Sequence, residues 1–187
     1  MTQKALKPAV FLDRDGTLNE DPGYLSQPSQ MKLLPHVGEG LALLRQSGYE
    51  LIVISNQSGV GRGIFLETEL KPIHARMNEL LRPYGAEIHH FYYCVHHPDE
   101  DCECRKPKPL LIKKAAKDLG IDVSKSIMIG DKITDLEFAH NAGCRAAVLV
   151  LTGVGLEAQK NLKPKLSDFV AKDLFEAAKW IQQLPTP

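Results

Sequence analysis

Ala9-Val-Phe-Leu-Asp13-Arg14-Asp15-Gly16-Thr17 sets four apolar residues directly against two carboxylates and a glycine. A short apolar run bounded by a turn signal reads as a buried β-strand, and a glycine three residues after the first carboxylate lets the chain reverse there. One carboxylate at such a strand end is placed to attack and the other to handle protons. In isolation, an Asp-x-Asp-Gly is more often a pair of turn and cap aspartates. A calcium loop of the EF-hand kind does not fit: counting from Asp13 puts Tyr24 where the twelfth-position Glu is needed, and a strand rather than a helix leads in.

Outward from this stretch, apolar runs of four to six residues alternate with longer amphipathic segments. That is the rhythm of βα units feeding a parallel sheet with helices on both faces, an α/β fold. Strands are expected at Ala9–Leu12, Leu51–Ser55, His90–Val95, Ser126–Ile129 and Ala146–Val150, with a short sixth near Phe169. Helices are expected at Val37–Gln46, Leu66–Leu81 with a local distortion at Pro72, Pro109–Leu119, Thr134–Asn141 and Asp173–Gln183. No repeat or long polar linker divides the chain, so 1–187 is expected to form a single domain, with only the Pro185-Thr186-Pro187 tail frayed. A chain of 187 residues that is 43% hydrophobic and 25% charged can bury a core without disulfide support. Its 23 basic and 23 acidic residues cancel, which removes the electrostatic footprint of a nucleic-acid binder. The longest apolar run, Ala146–Leu151, falls far short of the roughly 18 residues that span a bilayer. With no signal-peptide pattern ahead of Asp13, the expectation is a cytoplasmic protein that contacts neither nucleic acid nor membrane, and a monomer.

Ligands of open parallel sheets bind beyond the carboxyl ends of the strands. The other strand ends here carry Ser55-Asn56-Gln57-Ser58-Gly59, Arg105-Lys106-Pro107, and Gly130-Asp131-Lys132 with Asp135. Taken singly, Ser55 is a strand-end hydroxyl, Lys106 a surface charge and Asp131 a helix cap. Jointly they describe a phosphoryl-transfer site, with two carboxylates and a divalent cation on one side and a hydroxyl and an ammonium on the other. The order Asp13-x-Asp15-Gly16-Thr17, Ser55, Lys106, Gly130-Asp131 with Asp135 resembles the four motifs of the haloacid dehalogenase superfamily of phosphatases along nearly the whole chain. The resemblance implies a Rossmann-like sheet, Asp13 as nucleophile forming an aspartyl-phosphate, and Asp15 as acid to the leaving oxygen and then base to water. Mg²⁺ would be held by Asp13, the backbone carbonyl of Asp15 and Asp131, with Lys106 as a fixed positive charge and Ser55 on the phosphoryl oxygens. Asp135 is expected to orient Lys132 or a metal-bound water.

Cys94-Val-His96-His97-Pro-Asp-Glu-Asp-Cys102-Glu-Cys104 supplies three thiols and two imidazoles in eleven residues. In a reducing compartment this composition calls for zinc, and Cys94, His96, Cys102 and Cys104 complete a tetrahedral shell with no open position, so the role is structural. His97 could replace His96. Because Cys104 directly precedes Arg105 and Lys106, the metal would fold their loop in advance, and its removal is expected to disorder 94–106 and impair catalysis indirectly. Cys144 reads as a small buried hydrophobe.

No room for an inserted cap domain is found in 19–38 or between the second and third strands. Within the superfamily, the zinc loop and four motifs resemble the branch of the heptose bisphosphate and histidinol-phosphate phosphatases. Asp21-Pro22-Gly23-Tyr24 and Asn56-Gln57-Ser58-Gly59-Val60-Gly61-Arg62-Gly63 resemble the heptose side, whereas five residues between His96 and Cys102 resemble the histidinol side at least as well. The favoured expectation is a phosphatase of the heptose bisphosphate, releasing its C7 phosphate, with a histidinol-phosphate phosphatase as alternative and a non-catalytic phosphate-binding module as a remote one. Asp21, Gly23, Tyr24, Asn56, Gln57, Ser58, Arg105 and Lys132 are the candidate sugar phosphate contacts, Arg105 as a bidentate fork for the second phosphate. Arg62 is a weaker candidate for that fork. Arg14 could serve too, but a solvent-facing charge is its expected fate.

Overall fold

The computed structural model describes residues 6–185; Thr186 and Pro187 of the tail expected to fray lie outside the described residues. In chain order the elements are β1 (Ala9–Leu12), α1 (Val37–Gln46), β2 (Glu50–Asn56), α2 (Ser58–Gly61), α3 (Leu70–Leu81), β3 (His90–Cys94), α4 (Leu110–Leu119), β4 (Ile127–Gly130), α5 (Ile133–Ala142), β5 (Ala146–Val150), α6 (Gly155–Lys160), β6 (Phe169–Ala171) and α7 (Leu174–Gln182). The strands form one sheet in the order β3-β2-β1-β4-β5-β6, every pairing parallel. This is the expected Rossmann-like arrangement. Strand order runs one way from β1 through β2 to β3 and the other way from β4 to β6, so the switch point lies between β1 and β4.

The period of two along β1 divides the core. Val10 and Leu12 face a cluster with Leu41 and Leu44 of α1, Ile73 and Met77 of α3, and Ala177 and Ile181 of α7. Ala9 and Phe11 face the opposite cluster, with Ile112 of α4 and Leu136 and Phe138 of α5. With helices on both faces, the central strands are apolar on both sides and β1 is completely buried.

Local chemistry moves several expected boundaries. Ser126 stays out of β4 because its hydroxyl accepts a hydrogen bond from the Ala9 N–H at 2.9 Å and donates to the Asp122 carbonyl at 2.6 Å. The helix expected from Leu66 begins as a 3₁₀ turn, Glu67–Glu69, and becomes α-helical at Leu70. Pro72 is then the third helical residue, where an N–H has no intrahelical partner to lose, so the expected distortion is absent. The segments 13–36 and 57–89 contain no inserted domain. Among the described residues no helix is long and apolar enough to cross a membrane.

Candidate active site

The switch point brings Asp13 at the end of β1 beside Asp131 at the end of β4. Gly16 makes that approach feasible: its φ is 86°, and a Cβ there would collide with the Asp131 carboxylate. From the far side, the 151–155 loop closes on the same carboxylate. The Val154 N–H donates to Asp131 Oδ2 at 3.0 Å, and the Thr152 hydroxyl donates to the Gly16 carbonyl at 2.7 Å.

Asp13, Lys106, Asp131 and Asp135 are all buried. Lys106 Nζ, 2% exposed, donates to Asp13 Oδ1 at 2.8 Å, Asp135 Oδ1 at 2.6 Å and the Ile54 carbonyl at 3.0 Å, so its three protons are all placed. Burial alone would raise the Asp13 pKa, but the Lys106 and Lys132 cations outweigh it and hold the carboxyl well below the usual range. Lys106 itself is raised, because the two carboxylates more than offset its desolvation. Asp131 is pushed up to about 7 by burial and then by the neighbouring Asp13 charge. Asp135 differs from expectation in its side-chain partner: it holds the Lys106 ammonium, and it meets Lys132 through the backbone, its carboxylate accepting the Lys132 N–H at 3.1 Å and its own N–H donating to the Lys132 carbonyl at 3.0 Å, which caps α5.

The donors expected for a divalent cation converge. Asp13 Oδ2 at 3.3 Å, the Asp15 carbonyl at 3.2 Å and Asp131 Oδ1 at 3.4 Å all surround Lys132 Nζ. The ammonium thus stands in for a cation among three hard oxygens, the donor chemistry Mg²⁺ prefers. Its side chain is 37% exposed, which leaves it a way out toward solvent.

Asp15 follows a different plan. Its Oδ1 accepts from Arg14 Nε and Asn19 Nδ2, both at 2.9 Å, and its Oδ2 from Arg14 Nη2 at 2.7 Å and Gln57 Nε2 at 3.0 Å. Arg14 is therefore not the solvent-facing charge the sequence suggested: it is 1% exposed and clamps the adjacent carboxylate bidentately. Gln57 also accepts from Arg14 Nη2 at 3.0 Å and donates to Ser55 Oγ at 2.7 Å, leaving the Ser55 hydroxyl proton free for a ligand. Asn56 reads the Lys106 backbone, accepting its N–H at 3.1 Å and donating to its carbonyl at 3.4 Å.

These groups floor a cavity of about 240 Å³ lined by Asp13, Asp15, Asp21, Gly23, Ser55, Asn56, Ser58, Lys106, Lys132 and Thr134. Of the expected contacts, Tyr24, Gln57 and Arg105 do not line it. Arg105 donates from Nη2 to the His96 carbonyl at 2.6 Å, and its Nε is buried without a partner. Thr134 on the first turn of α5, Asn19, Thr152 and Val154 were not anticipated. Thr134 and Asn19 are single polar residues without a motif, and Val154 acts through its backbone, which leaves no mark in a sequence.

The sulfur cluster also assembles. Cys94 Sγ lies 3.5 Å from His96 Nδ1 and 3.5 Å from Cys102 Sγ, while Cys104 Sγ lies 3.2 Å from His96 Nδ1 and 3.8 Å from Cys102 Sγ. Tetrahedral ligands about 2.0–2.3 Å from a zinc ion stand roughly 3.5–3.8 Å apart, so these four side chains fit one. His97 turns elsewhere, its Nδ1 accepting the Asp99 N–H at 3.2 Å.

Comparison with known proteins agrees with this geometry. A HAD-hydrolase-like family profile matches residues 103–177. The D-glycero-beta-D-manno-heptose-1,7-bisphosphate 7-phosphatase of Haemophilus ducreyi is 40% identical over 182 residues, covering 94% of this chain and 98% of the relative. The chain belongs to the haloacid dehalogenase phosphatases. It is a phosphoric monoester hydrolase of that family. The Escherichia coli relative of the same name is 33% identical over 187 residues and covers 96% of each chain. Among solved structures, the B. bronchiseptica D,D-heptose 1,7-bisphosphate phosphatase complexed with magnesium and phosphate superposes on this HAD phosphatase with a TM-score of 0.87, at 32% identity, over 94% of this chain and 98% of that one.

Proposed function

We propose that this enzyme is a Mg²⁺-dependent phosphatase that removes the C7 phosphate of D-glycero-D-manno-heptose 1,7-bisphosphate, leaving heptose 1-phosphate, and that it works as a cytoplasmic monomer. The observation that carries the reading is the Asp13 carboxylate, held by Lys106 at 2.8 Å on the floor of a polar cavity, in a chain 40% identical to a phosphatase of that name. Asp13 attacks phosphorus: its Oδ–P bond forms as the P–O bond to C7 breaks, and Asp15 delivers a proton to the departing oxygen. Asp15 then takes a proton from the water that cleaves the aspartyl-phosphate, releasing inorganic phosphate and restoring Asp13. Ser55 donates to a phosphoryl oxygen, and Lys106 keeps the nucleophile ionised. Asp13, the Asp15 carbonyl and Asp131 would hold Mg²⁺ once Lys132 withdraws, and the ion when bound supplies a Lewis acid that offsets phosphoryl charge. Lys132, which lines the cavity, is then the cation available to the substrate; Arg105 would join it as the second only by releasing the His96 carbonyl and turning toward the cavity. Cys94, His96, Cys102 and Cys104 would hold a structural Zn²⁺ that fixes the backbone next to Lys106.

The test is Mg²⁺-dependent phosphate release from the bisphosphate, both anomers, beside histidinol phosphate at equal concentration. Strong preference for the bisphosphate is expected. Preference for histidinol phosphate, which the short zinc loop favours, would overturn the substrate assignment, and absence of turnover on either would overturn the reaction.

A further inference from the structure

Arg14 is a fully buried cation that no step of the mechanism yet uses. Taking a guanidinium out of water costs several kcal/mol, and a surface arginine would avoid it. What the burial achieves is specific. The fork meets both oxygens of Asp15, and Asn19 and Gln57 supply one further N–H to each. Two carboxylate oxygens offer about four acceptor positions, and all are filled by donors. The fork fixes the plane of the carboxylate, and a proton enters or leaves it where an amide donor, Asn19 or Gln57, gives way. His74 of α3, stacked on Phe91 at 4.0 Å, feels the Arg14 charge and is kept neutral by burial first and by that charge second.

Resting on the acid/base assignment of Asp15 above, we infer that Arg14 is a positioning residue for the proton transfers of Asp15. Its fork, steadied by Gln57, fixes the plane and aim of the Asp15 carboxylate at the cavity wall, both for delivering a proton to the leaving oxygen and for taking one from water. With a leaving group that needs no proton, loss of the fork therefore slows breakdown of the aspartyl-phosphate and leaves its formation alone. Since Arg14 does not line the cavity, substrate affinity is unaffected.

An aryl ester separates the two steps, because p-nitrophenolate leaves without a proton. In Arg14→Lys, stopped-flow with p-nitrophenyl phosphate should show a burst of about one p-nitrophenolate per enzyme, then a steady rate lowered by about tenfold or more, with KM falling in parallel so that kcat/KM changes by less than about twofold. Gln57→Met removes one donor, keeps the ion pair, and should show the same burst with a smaller fall, which keeps the inference open to refutation if Arg14→Lys does not fold. Burst and steady phases slowed together, or neither slowed, in the folded variants would overturn it. Asp15→Asn is the control: a burst there with none in the Arg14 and Gln57 variants sinks the role of Arg14 alone, whereas wild-type turnover by Asp15→Asn sinks the assignment of Asp15 itself.

Discussion

The carboxylate floor and the sulfur cluster meet on the tripeptide Cys104-Arg105-Lys106, yet they are held together in opposite ways. The floor is built by the fold: Asp13 and Asp131 stand on adjacent strand ends, and buried Lys106 with half-open Lys132 balances their charge. The sulfur cluster has one ligand fixed by the sheet, Cys94 at the end of β3, while His96, Cys102 and Cys104 come from irregular backbone. Among the described residues no Lys or Arg side chain bonds these sulfurs. Burial raises the Cys94 thiol, and burial together with its sulfur neighbours pushes Cys104 up to about 12. The contrast teaches that the first site keeps its shape with its own cations, whereas the proposed zinc ion would be what closes the second.

The largest effect expected on this contrast is chemical. Asp13→Asn keeps the fold and loses phosphate release by about 10⁴-fold or more, because a nucleophile has no substitute; residual turnover within tenfold of wild type would break the account of the floor. Next, Lys106→Met leaves Asp13 and Asp135 buried and facing each other, and should cost about 3–5 kcal/mol in denaturant unfolding. An unchanged midpoint would mean the floor is not held by its own charges. Zinc chelation at saturating Mg²⁺ should open 94–106 to protease while leaving the sheet intact, and lower activity by about 100-fold through displacement of Lys106. Full activity with that loop cleaved would show that the two regions are independent. The smallest effect concerns His74, whose pKa is lowered from 6.5 to about 3 by burial and the Arg14 charge. The unfolded chain binds that proton first, so this stabilisation is complete above pH 6.5 and is lost as pH falls toward 3. His74→Phe should therefore remove about 2 kcal/mol of the stability loss seen by about pH 5, read from pH-dependent melting curves.

The two regions were also unequally legible in the sequence. Asp13, Ser55 and Asp131 could be placed together because each ends an apolar run, and a parallel sheet gathers such ends on one edge, while Lys106, in the loop beyond β3, was placed by its order among the motifs. The sulfur ligands were legible from spacing, and the choice of His96 over His97 was not, since it turns on which ring the loop aims inward. Arg14 was misjudged because its burial depends on Gln57, which accepts from its fork only after folding, and on an Asp15 carboxylate that Asn19 and Gln57 help to hold. Gln57 looked like a sugar contact and instead holds Asp15 and Ser55. The short helices α2 and α6, four and six residues long, carry too few turns to show a hydrophobic period. Cys144 is only partly buried, against the expected full burial, although its surroundings push the thiol up to about 12.

The central claim, that the fold-built floor performs covalent phosphoryl transfer at Asp13, is tested most directly by acid-quenching turnover of bisphosphate radiolabelled at C7 and mapping the labelled peptide. The account predicts acid-stable, hydroxylamine-sensitive label on Asp13, absent from Asp13→Asn. Label on another residue, or none while phosphate is being released from the enzyme during turnover even in Arg14→Lys, would contradict it.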